Sequence, residues 1–333
     1  MMRVRLGRWL VGSLLVLLPA LSGVRAQAER LYGTDYEPID SLARAAGLSV
    51  SWPVPQKRAV LTGAAGRLVL EADSRDCDLA GLRVFLGAPA VPNRRSIYLS
   101  KIDRDRFLLP ILNPRAIPGP TPRLRTIVID PGHGGKDDGT VNAKLKLREK
   151  AMTLDVALRL ERLLKKAGYQ VVLTRRKDTF VPLPLRPAYA KKVKADLFIS
   201  IHFNAIDNKA VTGSETYILT KQFQRSTSSD RPRPEDKHRN PGNGDDHWNA
   251  VLGFRMHRAV LGSLQSFDRG LKHARFAVLR DLDCPGVLVE AGYLSNEAEA
   301  RRIGTPVWRQ KLALALARGV EDYRAALQTP GRR

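Results

Sequence analysis

Four widely spaced residues are of the types that hydrolytic chemistry uses: His133, Glu149, His202 and Glu290. Two imidazoles and one carboxylate make a hydrolytic zinc set, because such sites use three protein ligands and keep a fourth position for water. The metal lowers the pKa of that water to about 7, and a second carboxylate nearby can take its proton. His133, Glu149 and His202 suit the ligand roles, and Glu290 suits the proton acceptor. Each residue also has a plainer reading. His133 could be polar surface at a turn, and Glu149 in a first helical turn favours the helix dipole without any metal. His202 after an apolar strand could be a satisfied core histidine. Glu290 is harder to set aside, since a carboxylate ending the apolar run Val287-Leu-Val-Glu290 is costly to bury without a partner. His238, His247, His257 and His273 lack a strand-end position; His257 and His273 read as surface or helix-face residues.

The elements around these residues explain how they could meet. Thr126-Ile-Val-Ile-Asp-Pro-Gly-His-Gly-Gly135 is an apolar β-run stopped by a Pro/Gly turn, where glycines admit backbone angles that other residues avoid. Glu149 opens a stretch of helical periodicity (Met152, Val156, Leu160, Leu163, Leu164) closed by Gly168. His202 follows Asp196 to Ile201. Further apolar runs stand at 171–174, 216–219, 276–279 and 287–290, and the spacing predicts further helices around Trp248–Leu264 and Val307–Leu327. Such alternation predicts an α/β fold, with a mostly parallel central sheet and helices on both faces. A parallel sheet collects its strand ends at one edge, which is where sites form.

The remainder of the 333 residues divides by composition. Residues 1–26 read as a signal peptide: Arg3, Arg5 and Arg8 precede an apolar run from Trp9 to Leu21 that is too short for a comfortable membrane span. The expectation is an exported chain, periplasmic or wall-associated, with no stable membrane insertion after cleavage. Residues 30–112 read as a small α+β domain, with one helix near 40–46 and short β-runs between turns. Four prolines between 113 and 125 mark a stiff linker. Residues 126–327 form the larger domain, interrupted at 221–247 by a stretch rich in Ser, Pro, Arg, Asp and Gly without periodicity, expected to be a mobile surface insertion. Cys77 and Cys284 have no metal-ligand spacing. The net charge of +23 suits an anionic partner; export and the lack of interleaved aromatics argue against nucleic acid.

Four segments in order carry a resemblance. Ile129-Asp-Pro-Gly-His-Gly-Gly135, Glu149-Lys150, Ser200-Ile-His-Phe-Asn204 and Val289-Glu-Ala-Gly-Tyr-Leu-Ser-Asn296 resemble the ligand and catalytic motifs of the zinc-dependent N-acetylmuramoyl-L-alanine amidase family, and Thr174-Arg175 with Arg186 fits as well. The resemblance implies a Zn²⁺ ion on His133, Glu149 and His202, Glu290 as general base, and peptidoglycan as substrate. The bond cut would be the amide between the lactyl group of N-acetylmuramic acid and L-alanine. It leaves room for a protein activator. Lys146-Leu-Arg148 departs from the glycine-containing approach expected before the ligand glutamate, and 221–247 does not read as the self-blocking helix carried by some members. Asp230, Glu235, Asp236, Asp245 and Asp246 are the acids there that could reach the metal. The order of elements in 30–112 weakly resembles the small N-terminal domain of copper amine oxidases, implying a wall-binding or spacer module without copper chemistry. Alternative readings are another zinc peptidoglycan peptidase, such as a carboxypeptidase, and a non-catalytic wall-binding protein.

Overall fold

The computed structural model describes residues 29–31 and 34–328; the signal peptide read at 1–26 lies outside them. No described helix is long and apolar enough to cross a membrane.

The larger domain is an α/β sandwich around six strands in the order Gln170–Leu173, Thr126–Pro131, Leu197–Asn204, Gly286–Tyr293, Ser214–Leu219 and Asp268–Ala274. The first four run parallel, the fifth is antiparallel to the fourth, and the sixth is parallel to the fifth. Ile127, Val128, Ile129, Phe198, Ile199 and Ile201 are fully buried, because both faces of these strands are covered and a doubly covered strand must be apolar throughout. One face packs on helices Glu149–Lys166, Asp246–Leu264 and Pro306–Leu327 through residues such as Val156, Leu160, Met256, Val260, Leu312 and Leu316. The other carries helices Leu185–Lys192 and Ala277–Arg280, sealed by Val128, Phe198, Leu279 and Leu288. These two short helices leave part of that face open.

The segment Phe276 to Leu279, expected as a strand, is instead the start of helix Ala277–Arg280. A four-residue apolar run fits either conformation, and here Val278 and Leu279 cap the sheet face. The strand in this region is the more polar Asp268–Ala274, in which Leu271 and His273 are buried while Lys272 points to the other side.

The N-terminal unit has helix Ile39–Ala46, ended by Gly47 at φ 68°, and an antiparallel meander from Ser49–Val54 to Leu82–Asn93 that includes the polar strand Ser74–Leu79. Its sheet joins the larger one: Leu271 pairs with Val84 in parallel, giving one 14-stranded sheet. The stretch 221–247, expected to be mobile and superficial, is pinned into this junction. Lys221, Gln224, Ser229, Asp236 and Asn243 are buried. The Arg75 guanidinium of the N-terminal meander donates to the carbonyls of Arg225, Ser226 and Ser229, and Gln224 donates to Ser100 Oγ. Composition hid this, because the ordering comes from partners more than a hundred residues away.

Candidate metal centre

The turn that carries His133 is held by a network of its own. His133 itself has φ 62°, a left-handed angle that side chains disfavour, so the surroundings must hold it. Arg175 donates to the carbonyls of Pro131, Gly132 and Lys150; Arg186 donates to those of Pro131 and His133; Thr153 Oγ1 donates to Gly132 O. Arg186 is itself anchored at 2.8 Å on Asp130, a fully buried carboxylate that also accepts from Thr174 Oγ1 and Ser200 Oγ. Burial, and then the neighbouring Arg186, bring the Arg175 pKa down to about 10, still leaving it charged at neutral pH. Glycine is needed at 132, where a Cβ would lie 2.3 Å from His202 Cε1, and at 139, where it would lie 2.6 Å from His133 and 2.7 Å from Glu149 Oε2.

Glu149 stands at the centre. Helix Glu149–Lys166 begins with it, its backbone N–H is fixed by Thr140 O, and its side chain is buried. Oε1 lies 3.1 Å from His133 Nε2 and 3.0 Å from His202 Nδ1, and accepts from Phe203 N; Oε2 accepts from Thr140 N. The approach to this helix departs from a glycine pattern in sequence only: Lys146 takes φ 53°, the left-handed angle glycine would favour. One donor atom from each of His133, Glu149 and His202 lies within 4.8 Å of the others, so the three could hold a metal ion. A further feature fits such an ion. His133 turns its other nitrogen, Nδ1, to Asp137 Oδ2 at 2.8 Å, the carboxylate support that fixes tautomer and orientation in metal-ligating histidines.

The electrostatics follow from this crowding. Burial alone would raise the Glu149 pKa, but hydrogen bonds from His133 and His202 outweigh it and hold the carboxyl well below the usual range. Burial disfavours charge on His133, but Glu149 and Asp137 outweigh it and raise its pKa. Glu290 is opposite in character. It sits beside His202 in parallel register, its Oε2 is buried with no hydrogen-bond partner among the described residues, and burial, then Glu149 and Glu215, push its pKa well up.

All four expected residues therefore converge, on a groove of about 380 Å³ whose lining also includes the apolar Leu183, Phe276, Val278 and Leu288. Neither His202 nor Glu290 ends its strand; both strands run on past the site. The acids of 221–247 do not line this groove. Asp236 pairs with Arg275, and Asp246 with Asn243 and Arg106. His257 and His273, expected near the surface, are both buried: His257 bonds Thr216 and Asp268, and His273 Nε2 bonds Phe85 O.

Asp130 and Glu215 were missed by sequence reasoning. Asp130 gave a signal, since it is a charge in a buried apolar strand. Glu215 gave none: it is buried, faces Glu290 across neighbouring strands, and takes its partners Lys272, Arg269 and Tyr293 from over fifty residues away.

The sequence profile of the family described as N-acetylmuramoyl-L-alanine amidase matches residues 127–322. The chain is 34% identical over 239 residues to the N-acetylmuramoyl-L-alanine amidase AmiC of Escherichia coli O6:H1, covering 65% of this chain and 57% of that relative. Over the first curated relatives, AmiC of Escherichia coli and of Neisseria meningitidis, the chain spans about half of their length. Among solved structures, the catalytic domain of the amidase CwlV from Bacillus (Paenibacillus) polymyxa var. colistinus is similar at a TM-score of 0.51 and 32% identity, covering 61% of this chain and 99% of that one. The CwlD amidase from Clostridioides difficile, in complex with the GerS lipoprotein, is similar at a TM-score of 0.51 and 25% identity, covering 60% and 98%.

Proposed function

The chain belongs to the N-acetylmuramoyl-L-alanine amidase family, and from that premise we propose that it cuts peptidoglycan at the amide between the lactyl group of N-acetylmuramic acid and L-alanine of the stem peptide. The observation that carries this reading is the convergence of His133, Glu149 and His202 opposite the unpartnered carboxylate oxygen of Glu290. The donor set, two imidazoles and one carboxylate, fits Zn²⁺ with a position left for water. Bound there, zinc would supply an acidified water and an electrophilic pull on the amide carbonyl.

The chain's own residues do the remainder. Asp137 keeps the His133 ring oriented through Nδ1. Thr140 N and Phe203 N fix both oxygens of Glu149. Burial and then Glu149 raise the Glu290 pKa; ionised once a bound cation offsets the charge of Glu149, Glu290 Oε2 takes a proton from the attacking water and returns it to the nitrogen of the leaving L-alanine. Its Oε2 stays free of hydrogen bonds because the nearby donors Tyr217 and Tyr293 are both engaged by Glu215 instead. An apolar wall beside Glu290 limits access of bulk water to that proton transfer.

In this proposal the chain is exported and works in the periplasm or at the wall, with 30–112 serving as a wall-binding or spacer unit. A protein activator is compatible with it, as is the lipoprotein complex of the similar CwlD. The test pairs elemental analysis with mass spectrometry of digested wall. One zinc per chain, intact sugar strands and free whole stem peptides are expected. Shortened stems still attached to sugar would identify a carboxypeptidase, and no release at all a non-catalytic binder; either result overturns the reading.

A further inference from the structure

We infer that Phe276 is a specificity-determining residue that receives an uncharged, C–H-rich part of the substrate beside the scissile amide, and that Glu215 is the positioning residue that holds it there through Tyr217. This rests on the amidase reading above. The groove that holds His133, Glu149, His202 and Glu290 is also lined by Leu183, Phe276, Val278 and Leu288. Phe276 is 37% exposed, and its ring meets Tyr217 edge-on, with centroids 5.1 Å apart and planes at 75°. Tyr217 OH donates to Glu215 Oε2 at 2.5 Å. Glu215 in turn is held by Lys272 Nζ at 2.8 Å, with Arg269 Nε at 3.4 Å, and its other oxygen accepts from Tyr293 OH. Tyr293 OH accepts from Asn204, another groove residue.

A buried carboxylate with two cations is a costly way to join two strands, because an apolar pair would do so without desolvating charge. What this arrangement achieves is direction. Each oxygen of Glu215 fixes one tyrosine hydroxyl, and each tyrosine braces a side chain of the groove: Tyr217 the Phe276 ring, and Tyr293 the Asn204 amide. An aromatic face held beside a polar centre suits a ligand with a C–H surface next to a polar reacting bond. Two kinds of C–H surface in the proposed substrate have that chemistry, the face of the muramoyl sugar ring and the methyl groups that flank the amide on the lactyl group and on L-alanine.

The experiment is steady-state cleavage by the full chain of a soluble disaccharide muropeptide and of the same stem peptide carrying only the lactyl group. Free stem peptide is read by mass spectrometry and zinc content by elemental analysis. Phe276→Ser is apt because position 276 is the N-cap of helix Ala277–Arg280, where serine is favoured. Expected are a KM raised about tenfold, kcat within about threefold of the parent, unchanged zinc, and recovery of KM in Phe276→Tyr. A KM effect confined to the disaccharide substrate assigns the sugar ring; an effect on both assigns the methyl groups that flank the amide. Glu215→Gln strips Lys272 and Arg269 of their shared anion, so loss of folding competes as an explanation there. Tyr217→Phe keeps the ring and removes only the hydroxyl bond; it should raise KM several-fold with kcat preserved. An unchanged KM in Phe276→Ser for both substrates, or no recovery in Phe276→Tyr, overturns the inference. A parent chain that releases no free stem peptide defeats the amidase reading instead. In that case the dissociation constant of the disaccharide muropeptide for Glu290→Gln, with and without Phe276→Ser, decides the role of the wall, and equal values overturn it.

Discussion

Two clusters of histidine and carboxylate lie on the same sheet and have opposite fates. At the groove, His133, Glu149 and His202 bring donor atoms within 4.8 Å of one another, Glu290 lines the same groove, and the histidine rings stay partly exposed. At the junction with the N-terminal unit, His257 with Asp268 and His273 with Lys221 form two separate pairs. His257 joins Thr216 to Asp268, Asp268 also accepts from Arg83 N and Gly270 N, and His273 joins Phe85 O while its ring stands edge-on to Phe107. Lys221, fully buried over the Phe107 ring, has its pKa brought down to about 8 by burial. The difference teaches that residue type does not make a site. A site needs convergent donors with capacity left over; a joint uses up its polar atoms on its own chain.

That contrast can be broken by mutation. The largest effect belongs to the unpartnered carboxylate of the groove: Glu290→Gln should lower amide cleavage by roughly 10²–10⁴-fold while zinc content stays at the parent level. A rate within tenfold of the parent would place the proton transfer elsewhere. Next comes the support of a ligand. Asp137→Asn should weaken zinc affinity by about 10–100-fold, measured by chelator competition, with the melting temperature of the metal-free chain nearly unchanged.

The junction should answer in stability and not in chemistry. His257→Ala leaves Asp268 and Thr216 short of a partner and should cost about 1–3 kcal/mol in denaturant unfolding, with zinc content and kcat preserved. The smallest effect is a pH slope. Burial, then the charge of Lys221, lowers the His273 pKa well below its ordinary value. Below about pH 6.5 the unfolded chain binds a proton at this ring that the folded chain refuses, so stability falls as pH falls. The slope from this one group is at most about 1.4 kcal/mol per pH unit. Melting curves between pH 5 and 7.5 should show it, and His273→Gln should flatten it; a slope unchanged in that variant would remove His273 as its source.

Much of the larger domain was legible before any coordinates. The apolar run before Asp130, the helix opened by Glu149 and the helix at the C-terminal end each carry their own period, and local period sets local conformation. Short or polar elements were not: Phe276 to Leu279 fits strand or helix, and Asp268–Ala274 hides its alternation behind charge. The stretch 221–247 looked loose because its composition is loose, yet the N-terminal meander holds it through Arg75. At the site, His133, Glu149, His202 and Glu290 could be named from their types and flanks. Asp130 was overlooked despite a visible signal, and Glu215 had no visible signal at all.

The sequence by itself determined which four side chains were candidates, the Pro/Gly stop after Asp130 and the helix that begins with Glu149, since these depend on residue types and on neighbours a few residues away. Only the tertiary structure decided that His202 would stand beside Glu290, that Glu215 would absorb the tyrosine and lysine donors around it, and that two other histidines would be spent on a joint. The physical reason is strand order and register. Which side chains share a pocket depends on pairings between segments far apart in the chain, and no local period encodes those pairings.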